Sequence, residues 1–423
     1  MSLTDREQLT PASVVILGAG FAGLKCAMEL SAHPGMRITL IDRNSYQQFH
    51  PLLYQVAASV LSPENAAFAL RDIFRNSENV DVQMSEVVAI DLARCIVTTE
   101  GGKSYGGDYL VLATGSQVNF YGISGAQQYS FPLYSLNDAE RLRSIILRAL
   151  EAADRNPENA GDGLLNFVVV GAGPTGVEMA GTLADMLKRT VPKEYRHVPY
   201  ESAQVFLIEG GPSVLSVFSR ESQEYAASAL KERGVQLYLR TTVQEVQSDG
   251  VLFSDGSRIR AKTVIWAAGL KPTALRSAPE LPMSRGGRIE VKQDLTVSGF
   301  EKVYAIGDLA DANDNDGKSL PQLAAVAQQA GKCCAENIIA SVNGKRGKPF
   351  IYEDRGILAM IGRNAAVAEL GKAHHEIVGP VAFVIWLGVH VALLTAGRAK
   401  LEAIVEWAWD YFGGQHAGQL IDR

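Results

Sequence analysis

Two six-residue glycine patterns of one form, Gly18-Ala-Gly20-Phe-Ala-Gly23 and Gly171-Ala-Gly173-Pro-Thr-Gly176, constrain this chain more than any other feature. Each follows a short apolar run, Val14-Val-Ile-Leu17 in the first case and Phe167-Val-Val-Val170 in the second. Each also opens a stretch of helical periodicity, reaching Leu30 and about Leu187. Strand, tight turn and helix in that order begin a βαβ unit. Two copies predict an α/β chain with two Rossmann-like, doubly wound dinucleotide-binding domains.

The residue types explain what such a loop does. The first glycine makes the tight turn, the second lets the backbone approach a pyrophosphate, and the third lets the helix pack on the sheet. The helix start then offers unpaired N–H groups and positive potential to phosphate. After the first motif the run Ile38-Thr-Leu-Ile41 ends at Asp42, an acid able to accept from a ribose hydroxyl. After the second, Val205-Phe-Leu-Ile ends at Glu209, well past the usual spacing of ~20 residues. An inserted helix or loop is therefore expected over about Lys188 to Ser202. Glu209 would repel a 2′-phosphate, and Gly210-Gly211-Pro212 holds no Arg to neutralise one, so the second unit is expected to take NADH rather than NADPH. Glu178, placed in the first turn of its helix, has two readings. It complements the helix dipole, or it positions the nicotinamide and serves a proton path.

Composition narrows the field. With 423 residues, 47% of them hydrophobic, the chain is long for one domain, and a net charge of −6 without any long like-charge run gives no basic surface for nucleic acid. Cys26, Cys95, Cys333 and Cys334 include no CxxC spacing, so neither a redox disulfide nor a thiolate metal site is expected. Met1 to Ser13 is polar and has no export or import pattern. A helix is expected over Asn137 to Ala153 and a linker over Asn156 to Gly163. The β pattern returns after about Ile289, with Lys302-Val-Tyr-Ala-Ile306 and a helix from about Leu323 to Val342. The expected division is one domain from 1–120 and 289–350, a connector over 121–163, a second domain over 164–288 and a C-terminal region over 351–423.

That last region differs in character. Ile377 to Gly397 is 21 residues without an Asp, Glu, Lys or Arg, interrupted by Gly379, Pro380, Gly388 and His390, and followed by Arg398 and Lys400. From Leu401 the residues Leu401, Ile404, Val405, Ala408, Trp409 and Phe412 form one apolar helical stripe, with Glu402, Glu406 and Asp410 facing away. The segment either lies in a membrane interface or spans the membrane.

Further motifs carry a resemblance. Leu110-Val-Leu-Ala113-Thr114-Gly115, its counterpart Thr263-Val-Ile-Trp-Ala267-Ala268-Gly269, and Ala305-Ile-Gly307-Asp308 are similar to those of two-dinucleotide flavoproteins of glutathione-reductase-like fold. Phe49-His50-Pro51-Leu52-Leu53-Tyr54-Gln55-Val56-Ala57, Tyr352-Glu-Asp-Arg355-Gly356, Ile361-Gly-Arg363 and Glu406-Trp-Ala-Trp-Asp410-Tyr411 make the likeness specific. Over nearly its whole length the chain resembles the type II NADH:quinone oxidoreductases, single-subunit enzymes that do not pump protons. The resemblance implies a tightly bound, non-covalent FAD held by Gly18, Gly20, Phe21, Ala22, Gly23, Asp42, Arg43, Gln55, Ala113, Thr114, Gly115, Asp308 and Leu323. It implies NADH held by Gly171, Gly173, Thr175, Gly176, Glu178, Glu209, Ala268 and Gly269.

It also implies a membrane quinone, ubiquinone or menaquinone, at Gln328 and Gln329, with Glu178 and Gln329 catalytic and no metal. A monotopic homodimer on the cytoplasmic face of a bacterial inner membrane is the implied setting. One position departs from the family: its AQxAxQ pattern places a glutamine where this chain has Ala325, while Gln329 keeps the second glutamine. The rival reading is a soluble NAD(P)H-dependent flavoprotein reductase that hands electrons to a protein such as ferredoxin, which leaves the apolar C-terminal stretch without a use.

Overall fold

Apolar runs that alternate with glycine turns and helices fold as two α/β units, each assembled from three separate stretches of chain. The computed structural model describes residues 11–314, 316–394 and 397–413, and the side chains of Asn159, Arg398, Ala399, Asp410, Tyr411 and Phe412 lie outside the described set. One unit comprises residues 1–47, 68–117 and 270–353; the other comprises 48–67, 118–269 and 354–423.

In the first unit a six-stranded sheet runs in the order Thr296–Val297, Phe300–Ala305, Tyr109–Leu112, Ala12–Leu17, Met36–Asp42, Val80–Met84. All neighbours are parallel except the first pair. Its strands are near-continuous Val, Ile and Leu because both faces are covered. One face carries the helices Phe21–Ser31 and Ala324–Val342, which approach so closely that a Cβ on Gly331 would collide with the backbone oxygen of Ala22. The other face packs on an antiparallel meander, Val87–Asp91, Ile96–Thr99 and Ser104–Gly106.

In the second unit a five-stranded parallel sheet runs in the order Phe131–Pro132, Thr263–Trp266, Asn166–Val170, Gln204–Glu209, Val235–Leu239. The helix Pro174–Arg189 packs against the strand Gly356–Gly362, which pairs antiparallel with Ala365–Leu370 and so brings the C-terminal region into this unit. The inserted stretch after the second motif is real. The helix runs on to Arg189, a short turn covers Val191–Glu194, and a 3-10 turn covers Tyr200–Ser202.

The units divide the chain differently from the sequence expectation, and hydrogen bonds give the reasons. Residues 270–288 join the first unit, because Ile90 N–H donates to Arg276 O and Leu92 N–H to Ala278 O. The expected connector is a structural helix of the second unit, Leu136–Arg155, started by a Ser135/Asp138 capping box. Residues 48–67 also belong there: the helix Leu53–Ala57 packs on Leu136–Arg155 and Pro174–Arg189.

Gly379 and Pro380 mark the start of a 14-residue helix, Pro380–Leu393, whereas Gly388 and His390 lie within it. A second helix, Gly397–Gly413, follows. Among the described residues no helix is long and apolar enough to cross a membrane. The apolar stripe of the second helix is outermost: Leu401 is 67% exposed, Val405 63% and Trp409 61%. Its opposite face meets protein, with Ala403 buried and Glu406 accepting from Ser62 N–H (3.1 Å) and Ser62 Oγ–H (2.9 Å).

Candidate functional site

The first glycine loop is built so that only its middle faces open space. Gly18 has φ +99°, and a Cβ there would collide with Ala113 O, so the end of the neighbouring strand fixes this residue. Around a Cβ on Gly20, by contrast, nothing among the described residues stands within 4 Å. Gly20 starts the helix without a side-chain cap, and the first turn carries no acid, so its N–H groups keep their positive potential for an outside anion. Phe21 and Ala22 follow on that helix, and Arg43 is exposed beside Asp42.

Asp42 Oδ2 accepts from Ala19 N–H and Oδ1 from Asn44 N–H, both at 2.7 Å. Burial raises its pKa, and the two backbone donors work against that rise. Each oxygen retains accepting capacity for a ribose hydroxyl.

The other predicted flavin residues of this unit lie along the ends of its central strands. Ala113 is buried, and Thr114 Oγ1 is buried without a hydrogen-bond partner among the described residues. Such an orphaned hydroxyl calls for a ligand or water. Asp308, its pKa raised by burial, accepts from Ser116 Oγ–H at 3.1 Å. Gln322 Nε2 donates to Ser116 Oγ at 2.7 Å and to Asp308 O at 3.3 Å. Sequence alone gives Gln322 only a place three residues ahead of Ala325, outside the flavin set, and the only signal for Ser116 is its place directly after Ala113-Thr114-Gly115. Leu323 N–H turns back to Pro321 O, so the uncapped donors of the helix Ala324–Val342 begin one residue later than expected. An open cradle, an orphaned hydroxyl and an acid together fit the phosphates and ribityl chain of FAD.

The second loop repeats the backbone geometry of the first, with Pro174 where the first has Phe21. Gly171 has φ +99° and a Cβ there would stand 2.6 Å from Ala267 O, while Gly173 starts its helix uncapped with nothing within 4 Å. Glu209 Oε2 accepts from Ala172 N–H (2.8 Å) and Oε1 from Gly211 N–H (2.7 Å), the same pair of bonds that Asp42 makes. Thr175 is exposed at the helix start and Gly176 is buried. Ala268 and Gly269 lie past the strand Thr263–Trp266, on the side of Asn166–Val170 away from Glu209.

Glu178 corrects one expectation. It lies beyond the first turn of Pro174–Arg189, which holds no acid, so a role against the exposed dipole of the helix start does not apply. Its carboxyl group is buried, only 7% exposed, and accepts from Met360 N–H at 3.2 Å. Burial pushes its pKa up to about 8, against the pull of that N–H. The buried indole N–H of Trp386 lies close enough to lower the value, though it meets no hydrogen-bonding geometry among the described residues. Glu178 is therefore a neutral carboxylic acid at pH 7.

Polar contacts continue from there to the terminal helix. Tyr54 Oη–H donates to Met360 Sδ (3.2 Å), Gln55 Nε2 to Tyr54 Oη (3.0 Å), and Trp407 Nε1 to Gln55 Oε1 (2.7 Å). Gln55, expected at the flavin, thus has both ends of its carboxamide engaged inside the second unit. Trp386 stacks on His390 with ring centroids 3.8 Å apart. Of the two expected quinone ligands, Gln328 is half-buried, whereas Gln329 is clamped to the Glu353 backbone by two 2.9 Å bonds that use its Nε2 and its Oε1.

Comparison with known proteins agrees with this geometry. The family described as pyridine nucleotide-disulphide oxidoreductase matches residues 12–331. The chain is similar to the type II NADH:quinone oxidoreductase Ndh of Mycobacterium tuberculosis, with 35% identity covering 96% of this chain and 89% of that protein. It is similar to the type II NADH:quinone oxidoreductase of Staphylococcus aureus, with 31% identity covering 84% and 88%. In fold it matches an NDH2 from Plasmodium falciparum solved in complex with NADH, with a TM-score of 0.88 and 19% identity, covering 98% of this chain and all of that one. A ferredoxin reductase from Rhodopseudomonas palustris is a more distant fold neighbour, with a TM-score of 0.66 at 22% identity.

Proposed function

This chain belongs to the type II NADH:quinone oxidoreductases, within the pyridine nucleotide-disulphide oxidoreductases, and from that membership we infer that it oxidises NADH through FAD and reduces a quinone by two electrons without pumping protons. The observation that carries the reading is the duplicated cradle, one copy ending in Asp42 and the other in Glu209. When bound, FAD supplies a carrier that takes up two electrons from a hydride donor and passes them to an acceptor. The residues of the chain bind, orient and manage protons.

Gly18, Gly20, Gly23, Asp42, Ala113, Thr114, Gly115 and Asp308 hold FAD, and the Ala324–Val342 helix start directs N–H groups toward negative charge. Gly171, Gly173, Gly176 and Glu209 hold NADH, with Glu209 excluding a 2′-phosphate. Glu178, protonated at neutral pH, stores a proton on the nucleotide helix itself and releases it on demand. Gln328 is the better placed of the two glutamines to meet a quinone carbonyl, since Gln329 is engaged by Glu353.

The outward stripe of Leu401, Ile404, Val405 and Trp409 docks on the membrane surface, on the cytoplasmic face of a bacterial inner membrane. It favours a membrane quinone over the ferredoxin alternative; the family resemblance, and no contact in the structure, supports a homodimer. The test is anaerobic: NADH added to the purified yellow protein bleaches the flavin, and a short-chain quinone restores its colour. Bleaching without recovery refutes the acceptor; no bleaching refutes the donor.

A further inference from the structure

The order of strands in the second unit fixes which way a dinucleotide must lie. Its pyrophosphate belongs at the loop after Asn166–Val170 and its adenosine ribose at Glu209, after the strand on one side. The nicotinamide half must then cross the end of the strand on the other side, Thr263–Trp266, at Ala267-Ala268-Gly269.

A short loop from elsewhere in the same unit is fastened at that place. Asn119 N–H donates to Gly269 O (3.0 Å), Trp266 Nε1 donates to Asn119 O (2.9 Å), and the Phe120 ring lies 5.7 Å from Trp266. These contacts deliver Tyr121, whose hydroxyl abuts Gly269 so closely that any Cβ there would collide with it. Tyr121 itself is held at φ +52°, with its N–H on Asn119 Oδ1 at 2.9 Å. A bulky residue in the left-handed region is uncommon and persists only where its surroundings enforce it. The outcome is a tyrosine 60% exposed beside the end of the strand that the nicotinamide must cross.

We propose that Tyr121 is a ligand-contacting residue of the NADH site: its hydroxyl hydrogen-bonds the nicotinamide-riboside half of the dinucleotide and its ring walls that end. The assignment rests on the NADH reading of the Gly171 loop. Gly269 is held at φ +127°, a conformation that favours glycine, and without a side chain there the phenol can rest directly against the strand end.

The experiment compares NAD+, which carries the nicotinamide half, with ADP, which lacks it. Dissociation constants for NAD+ and for ADP are measured on flavin-loaded native protein, Tyr121→Phe and Tyr121→Ala by isothermal titration calorimetry, with flavin content recorded as the check on folding. Removing one neutral hydrogen bond weakens binding by roughly 5- to 10-fold. That loss is expected for NAD+ in Tyr121→Phe, a larger one in Tyr121→Ala, and no change for ADP in either. Equal weakening of NAD+ and ADP, or unchanged NAD+ binding, overturns the assignment. Native protein that binds NAD+ no better than ADP overturns the NADH reading itself, and Tyr121 falls with it.

Discussion

Replacing Glu178 by Gln is expected to stabilise the protein in alkali and to leave it nearly unchanged in acid. Burial holds this carboxyl protonated up to about 8, against an ordinary value of 4.5. Below pH 4.5 the folded and unfolded chains both carry the proton and no difference arises. Between 4.5 and 8 the unfolded chain releases the proton while the folded one keeps it, so native stability falls as pH rises. Above 8 both have ionised and the loss is complete.

At roughly 1.4 kcal/mol per pKa unit, the full window is worth on the order of 5 kcal/mol, and about 3 kcal/mol of it has been lost by pH 7. A glutamine keeps an oxygen for the Met360 N–H and does not titrate in this range. Denaturant unfolding of the flavin-loaded proteins at pH 5, 7 and 8.5 measures the difference, and infrared spectroscopy reports the protonated carboxyl directly at pH 7. A stability difference between variant and native that does not change with pH, or the absence of that carboxyl band, would refute the reasoning.

Other perturbations separate the two cradles and the exposed apolar stripe of the last helix. Gly20→Ala fills the open space of the first loop without touching protein, so it is expected to yield folded protein with reduced flavin content, whereas Gly173→Ala keeps its flavin and raises the KM for NADH; circular dichroism and flavin absorbance check both. Glu209→Gln removes the charge that repels a 2′-phosphate and should raise the NADPH-to-NADH ratio of kcat/KM by about 10-fold, equivalent to ~1.4 kcal/mol; an unchanged ratio places the discrimination elsewhere. Val405→Glu alters a residue 63% exposed and leaves folding intact. Losing the burial of one valine costs about 2 kcal/mol, so co-sedimentation with lipid vesicles should weaken by about 30-fold. Binding equal to native would show that the stripe does not meet lipid.

What could be read in the sequence was whatever local order enforces. Glycine spacing, the apolar run before it and the acid that closes the next strand located both cradles, because a tight turn against a strand end leaves no other residue type possible at Gly18 or Gly171. The helix Leu136–Arg155 was legible from its periodicity to within two residues at either end. Contacts between distant stretches were not legible. Nothing local tells that residues 48–67 join the nucleotide unit of Gly171, or that the amide of Gln329 would close on Glu353. The place of Glu178 along its helix could be counted, but its polar contact with Met360, 182 residues further along the chain, could not. The terminal helix shows the limit well: a stripe identifies an apolar face, while the partner of the polar face, Ser62 for Glu406, depends on tertiary structure.

The three-part construction of each unit has a consequence for biosynthesis. The Rossmann sheet of the first unit needs Phe300–Ala305 to sit beside Tyr109–Leu112, so the early strands emerge from the ribosome long before their neighbour exists. In the second unit the Pro174–Arg189 helix waits in the same way for Gly356–Gly362. The greasy helix at Gly397–Gly413 is translated after every one of these strands. The order of translation therefore delivers the exposed stripe of Leu401, Val405 and Trp409 only after the strands of both sheets have been made.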